Sequence, residues 1–304
     1  MSRWTLKNLA DQTDRVVIVT GANTGIGFET AAAFAARNAE VVLACRSEAK
    51  AVDAMKRIRF RTPLARLRFI ALDLASLDSI ARFAKTFRDT YPRLDLLINN
   101  AGVMIPPLGY TADRFELQFG CNHLGHFALT GQLLGLLEAT PSSRVVNVSS
   151  IAHKYGAIDF ENLNAEQGYD KSAAYSQSKL ANLLFTRELQ SRLRAAGSKV
   201  IVTAAHPGWT ATDLQRHNLL FRMLNPLFSQ APPQGALPTI RAAVDDTATG
   251  GEYFGPRGWF ETRGLPERAD MTAAAKNDDD ARRLWQVSER LTGVRYLGQP
   301  ANAA

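Results

Sequence analysis

VVIVTGANTGIGFETAAAFAARN, residues 16–38, is the stretch on which the fold turns. Val16, Val17, Ile18, Val19 and Thr20 are all β-branched and uncharged, the composition of a strand covered on both faces. Three glycines then fall within TGANTGIG (20–27), and an alanine-rich helical pattern runs over 27–38. A strand that passes through a glycine-rich turn into a helix lets its backbone approach a ligand. The first turn of that helix offers N–H groups to an anion. In a doubly wound sheet this place meets the phosphates of a dinucleotide. The spacing here is G-x-x-x-G-x-G, through Gly21, Gly25 and Gly27, and not the G-x-G-x-x-G of many dehydrogenases.

Working outward, apolar runs and helical patterns keep alternating. VVLA (41–44), LRFIAL (67–72), LDLLI (94–98), RVVNVS (144–149) and KVIVTAA (199–205) read as five further strands. Helical periodicity fills 47–59, 76–91, 112–138 and 173–196 between them. The pattern predicts a Rossmann-type parallel sheet covered on both faces, within a single domain over residues 1–304. Residues 14–150 form mainly the dinucleotide-binding half. Residues 151–304 hold a long helix, late covering segments and C-terminal helices. The Pro- and Gly-containing segments at 225–238 and 250–266 read as insertions over one end of the sheet.

Composition narrows the function classes. The 304 residues are 46% hydrophobic, enough for a large core. Cys45 and Cys121 cannot form a disulfide framework and belong to no CxxC pair, which fits a reducing compartment and argues against structural zinc. No apolar run precedes the first strand and none reaches the ~20 residues that span a bilayer, so a cytoplasmic protein without an integral membrane segment is expected. The net charge of +7 is mildly basic, with a cluster in KRIRFRTPLARLRF (56–69). It lacks interleaved stacking residues beyond Phe60 and Phe69, so it reads as a solvated face, with no nucleic-acid partner. His123 and His126 lie three apart on a helix without a carboxylate or cysteine to complete a metal set, and read as packing residues. DDDARRLWQ (278–286) places its acids in the first turn of a helix, where they suit the dipole.

Two places speak to chemistry. The second strand ends in LACRS, with Arg46 where an acid would hold the ribose hydroxyl of NAD. A basic residue there suits a 2′-phosphate, so NADP is expected over NAD. In AYSQSKL (174–180), Tyr175 and Lys179 are four apart on a helix, so phenol and ammonium share one small volume.

TGANTGIG, Asp73-Leu74, NNAG (99–102), Asn122, VNVSS (146–150), YSQSK (175–179) and HPG (206–208) follow one another in a single order. Together they resemble the short-chain dehydrogenase/reductase family across residues 14–210. VNVSSIAHKYG, AYSQSKLANLLFTREL and ARRLWQVSERLTG are similar to the branch of retinol dehydrogenases and WW-domain-containing oxidoreductases, extending the match to about residue 292. Neither a WW domain nor the membrane-anchoring helix of many retinol dehydrogenases is read here. The resemblance implies that Tyr175 is the acid/base, that Lys179 tunes it and holds the nicotinamide ribose, and that Ser150, rather than its neighbour Ser149, holds the substrate oxygen. Asn122 would anchor a water in a proton relay. The cofactor would lie against Gly21, Asn23, Thr24, Gly25, Ile26, Gly27, Arg46, Asp73, Leu74, Asn100, Ala101, Gly102, Tyr175, Lys179, Pro207 and Gly208. No metal is expected.

The reaction expected from this resemblance is hydride transfer between NADP and an alcohol/carbonyl pair on a lipophilic small molecule. The apolar segment WTATDLQRHNLLFRMLNPLFSQAPP (209–233) would form a lid, and HKYGAIDFENLNAEQGYDKSA (153–173) would flank the mouth. Homo-oligomers occur among such relatives. A non-catalytic nucleotide-binding regulator would be expected to lose Tyr175 or Lys179, and both remain. Sugar-nucleotide epimerases and dehydratases tend to show TGxxGxxG, which TGANTGIG is not.

Overall fold

A computed structural model describes residues 3–210 and 230–297 of the protein. One eight-stranded sheet runs through it in the order β3-β2-β1-β4-β5-β6-β7-β8. The strands are β1 Val16–Thr20, β2 Glu40–Cys45, β3 Arg66–Ala71, β4 Leu96–Asn99, β5 Arg144–Val148, β6 Ile201–Ala205, β7 Tyr253–Pro256 and β8 Pro266–Arg268. All pair in parallel except β8, which runs antiparallel to β7.

The helices are α1 Gly25–Ala35, α2 Glu48–Arg61, α3 Leu77–Thr90, α4 Gly125–Ala139, α5 Lys171–Ala195, α6 Leu237–Val244 and α7 Asp278–Thr292. Alternate residues of β1 enter different cores. Val17 and Val19 pack with Phe28 and Phe34 of α1, Ile58 of α2 and Ile240 of α6. Val16 and Ile18 pack with Phe83 and Phe87 of α3, Phe127 of α4 and Phe185 of α5. The near-continuous apolar strand is therefore explained by two covered faces. Each fully buried valine, isoleucine or phenylalanine contributes roughly 1.5–3 kcal/mol.

Two readings need correction. The segment 250–266 is not simply an insertion, because it supplies β7 and the first residue of β8. Pro256 and Pro266 face each other across that antiparallel pair, at the sheet margin where a missing N–H is tolerated. The helical pattern over 112–138 does not start at 112. Helix begins at Leu117–Phe119, passes through a π-helical turn at Gly120–Leu124 and continues into α4. The basic cluster is a solvated face as expected: Lys56, Arg57, Arg59, Arg61, Arg66 and Arg68 are all exposed, with Arg57 and Arg61 lying 4.3 and 5.2 Å from the centre of the Phe28 ring and Arg66 donating to the Asn38 carbonyl at 2.7 Å.

Candidate active site

The chain moves outward from β1 through β2 to β3, then crosses back to place β4 on the other side of β1. At that reversal the loops after β1 and β4 diverge and leave a cleft of about 340 Å³. Gly21, Asn23, Thr24, Gly25, Ile26 and Gly27 line one side, and Asn100, Ala101, Gly102 and Val103 another. Val148 and Ser149 from the end of β5, Tyr175 and Lys179 from α5, Arg46 after β2, and Pro207 complete it.

The glycines are required by space as well as by conformation. Gly21 has φ +66°, and a Cβ on Gly27 would stand 2.5 Å from both the Gly21 carbonyl oxygen and Asn100 Nδ2. Asn100 Nδ2 itself donates to the Thr20 carbonyl at 2.8 Å, so this amide has no freedom to retreat. A backbone-lined cleft at the start of a helix, with an arginine in its wall, fits an anionic dinucleotide.

The tyrosine and lysine of AYSQSKL stand at the other side of the same cleft. Tyr175 and Lys179 are one helical turn apart on α5, with the Lys179 ammonium 5.7 Å from the Tyr175 ring centre. Lys179 Nζ donates to the Val148 carbonyl at 3.2 Å. Burial pushes the Tyr175 hydroxyl up to about 12, and a hydrogen bond from Ser150 opposes that rise. Burial pulls the Lys179 ammonium down to about 8. Within the chain alone, then, desolvation raises the phenol and the Ser150 hydrogen bond is what opposes it.

The two adjacent serines separate cleanly. Ser150 reaches the Tyr175 hydroxyl, whereas Ser149 Oγ donates to the Lys179 carbonyl at 2.7 Å and its side chain also bonds Tyr253. Ser149 lines the cleft all the same. Asn122 lies in the π turn, accepts the Val103 N–H at 2.8 Å, and donates to Ser178 Oγ at 2.9 Å and the Val103 carbonyl at 3.0 Å. A Cβ on Gly102 would meet Asn122 Oδ1 at 2.9 Å and Lys179 Nζ at 3.5 Å, so these three groups converge.

Some expected cofactor residues sit apart from the cleft wall. Asp73 accepts the Ala75 N–H at 3.0 Å, Leu74 packs beneath Gly125, and Gly208 is pressed against the Thr262 carbonyl. Val103, Val148 and Ser149 line the cleft without having been expected to; Val103 directly follows NNAG, and Val148 and Ser149 lie within VNVSS. The expected lid at 209–233 falls for the most part outside the described residues, as does His217. The segment after Ser150 packs on α5 and on the loop after β4: Asp159 N donates to Gln177 Oε1 at 2.7 Å, and Tyr169 donates to the Pro106 carbonyl at 3.0 Å.

A second polar cluster buttresses the turn at 206–208. Glu261 pairs with Lys154 at 3.0 Å and with buried His206 at 3.2 Å, and those two partners hold its carboxyl down at about 2. His123 and His126 are fully buried, and burial takes them down to about 3 and 4, so both are neutral. His123 packs tilted or edge-on among Phe119, Phe127 and Phe185 and bonds Ser288 Oγ at 2.8 Å.

A doubly wound sheet with a tyrosine and a lysine at a dinucleotide cleft defines a class: cofactor-dependent oxidoreductases that work on hydroxyl and carbonyl groups. A short chain dehydrogenase model matches residues 15–220. Mouse retinol dehydrogenase 13 is 47% identical over 292 residues, covering 92% of this chain and 84% of that one. Human retinol dehydrogenase 12 is 43% identical over 290 residues, covering 93% and 87%. The crystal structure of an uncharacterized protein from Mycobacterium paratuberculosis matches with a TM-score of 0.83 at 41% identity, covering 97% of this chain and all of the other. The chain belongs to the short-chain dehydrogenase/reductase family, a family of nicotinamide-dependent enzymes, and is similar to its retinol dehydrogenases.

Proposed function

We propose that the protein is an NADP(H)-dependent oxidoreductase that interconverts an alcohol and a carbonyl on a lipophilic molecule, with Tyr175 as acid/base. The observation that carries this reading is that Tyr175 and Lys179 line the glycine-walled cleft while Ser150 hydrogen-bonds Tyr175. Gly21, Gly25, Gly27 and the first turn of α1 would hold the pyrophosphate, and Arg46 the 2′-phosphate. Lys179 would bind the nicotinamide ribose. When bound, the nicotinamide supplies or accepts the hydride.

The chain's own groups handle the proton. Ser150 donates toward the Tyr175 oxygen and would hold the substrate oxygen beside it. A phenol at about 12 is protonated at neutral pH, the form that protonates the oxygen of a carbonyl undergoing reduction. Alcohol oxidation needs the phenolate, so the oxidative rate should rise with pH while the reductive rate does not. Lys179 at about 8 is still an ammonium at pH 7 and favours the phenolate as the reaction proceeds. Asn122, converging with Lys179, suits the anchor of a proton relay. The relatives' names point to retinoids, and the apolar residues at 214–228 are consistent with a long apolar substrate.

The test begins with fluorescence titration of NADPH and NADH. Straight-chain aldehydes and retinal are then assayed with the tighter cofactor. Apolar burial contributes ~0.8 kcal/mol per methylene, so kcat/KM should climb severalfold for every two carbons until the pocket fills. Equal affinity for NADH removes the cofactor assignment. A preference for small charged carbonyls removes the substrate class.

A further inference from the structure

We infer that His126 is a positioning residue, whose neutral imidazole joins the Thr20 hydroxyl to the Asn122 carbonyl and thereby holds the cofactor turns and the π turn in register. The inference rests on the cofactor site proposed above and extends it to a residue one turn beyond Asn122.

Hydrogen-bond counting assigns every proton in this chain of contacts. Thr20 Oγ accepts from the backbone N–H of Asn100 and of Ala101, both at 2.9 Å. A hydroxyl has two lone pairs and one hydrogen, so those donors fill its acceptor capacity. Its hydrogen is left to find an acceptor, and His126 Nε2 stands 3.0 Å away, nearer than the Ile98 carbonyl at 3.4 Å. The other ring nitrogen, Nδ1, lies 3.0 Å from the Asn122 carbonyl oxygen, which can only accept. The imidazole is therefore protonated at Nδ1 and bare at Nε2, the reverse of His123, whose Nε2 faces a serine hydroxyl that already donates to the Leu284 carbonyl. An imidazolium at position 126 would aim a third donor at Thr20 Oγ. Full burial and the nearby Lys179 ammonium also disfavour that charge.

The ends of the chain of contacts are parts of the site. Thr20 closes β1 and holds Asn100 and Ala101, which line the cleft. The carbonyl of Asn122 belongs to the π turn whose side chain grips Val103 and Ser178. Without His126, the Thr20 hydroxyl loses its nearer acceptor and the Asn122 carbonyl its side-chain donor, so the two turns lose the tie that runs through the ring and keep only the grip of Asn122 on Val103.

Two conservative variants separate the ends. The amide nitrogen of an asparagine falls near imidazole Nδ1, so His126→Asn keeps the donor to Asn122 and loses the acceptor for Thr20. A glutamine amide reaches the place of Nε2, so His126→Gln does the opposite. We expect NADPH binding to weaken about tenfold in His126→Asn, with kcat for aldehyde reduction within about threefold of the unmodified enzyme. In His126→Gln, affinity should stay within about threefold and kcat should fall about tenfold. Parallel losses in both quantities, or none in either variant, would overturn the inference. The tautomer itself is read on the unmodified protein by 15N NMR of the histidine rings, with His126 assigned through its own backbone. A neutral ring protonated at Nδ1 at pH 7 is expected, and an Nε2–H ring or an imidazolium overturns the inference even if neither variant folds. If the unmodified protein binds no nicotinamide cofactor, the proposed function fails, while the NMR measurement still decides the His126 assignment.

Discussion

Helices α1 and α5 flank the same cleft and are built on opposite principles. The buried residues of α1 are Ile26, Gly27, Phe28, Thr30, Ala31, Phe34 and Ala35, nearly all small or apolar. Those of α5 include Ser176, Gln177, Ser178, Lys179, Asn182, Thr186, Glu188 and Gln190. The α1 end presents backbone to the cleft, and backbone recognition needs little more than the absence of side chains. Helix α5 presents side chains, and each polar group taken from water to hold them needs a partner. Ser178 Oγ donates to the Tyr175 carbonyl at 2.8 Å while receiving Asn122; Asn182 donates to Val148 at 3.1 Å; Thr186 receives Asn147 at 3.0 Å; Gln190 accepts Val202 N at 2.7 Å. One half of the site is kept by sterics and the other by a matched network. Changes on the two sides should therefore fail in different ways.

The largest effect should come from Tyr175→Phe. It removes the transferable proton and little volume, so kcat should fall by about a thousandfold. Cofactor affinity should stay within about threefold, since no charge or bulk is added at the cleft. A variant retaining a third of wild-type kcat would sink the assigned chemistry.

Gly27→Ala should break the opposite half. Its new methyl meets the Gly21 carbonyl and the Asn100 amide at 2.5 Å, so the turn must shift. Overpacking of this kind costs about 1–3 kcal/mol, or about 10- to 100-fold in affinity if the loss falls on the bound state. NADPH and NADH should suffer alike in a binding titration. A loss confined to NADPH would show that the glycine turn is not the shared pyrophosphate site.

Lys179→Met sharpens the contrast by separating function from stability. The buried ammonium titrates near 8, against an ordinary value of 10.5, so folding works against its charge. Below pH 8 the lysine is protonated in both folded and unfolded chains and the cost is fully present. Between pH 8 and 10.5 the unfolded chain binds more protons, so stability rises with pH through that window. Methionine removes the cost, and Val148 keeps the Asn182 amide as a donor. Thermal unfolding at pH 7 should show the cofactor-free variant more stable by about 2 kcal/mol while turnover is lost. The difference between the two proteins should shrink toward pH 10. A variant less stable at every pH would mean that the lysine's hydrogen bond outweighs its desolvation.

Arg46→Ala is the smallest change, at an exposed position on the cleft rim. A charge-assisted contact to a 2′-phosphate is worth about 1.5–3 kcal/mol, so NADPH affinity should drop at least about tenfold. NADH affinity should not move. Equal weakening of both cofactors would assign the arginine to a shared contact.

Much of this was legible along the chain. The strands and helices of the first half follow local patterns, because a strand buried on both faces must be apolar throughout. The glycine turn was legible for a similar reason, since close backbone approach leaves a spacing in the sequence. The Tyr175 and Lys179 pair required only the geometry of a single helix. Beyond that, contacts between distant segments decide. The strand β7 is four residues long and ends in Pro256; it is a strand because β6 offers it a partner. The two serines are neighbours in sequence, and only the packing of α5 against the end of β5 assigns Ser150 to the phenol and Ser149 to a carbonyl. His126 looked like a packing residue because its partners, Thr20 and the Asn122 carbonyl, leave no mark on a helical pattern. The direction of the Tyr175 shift was likewise settled by desolvation of the phenol in the fold, a three-dimensional quantity. Composition and spacing determined which chemistry was on hand; desolvation and hydrogen-bond satisfaction, which depend on every surrounding atom, decided which residue holds which proton.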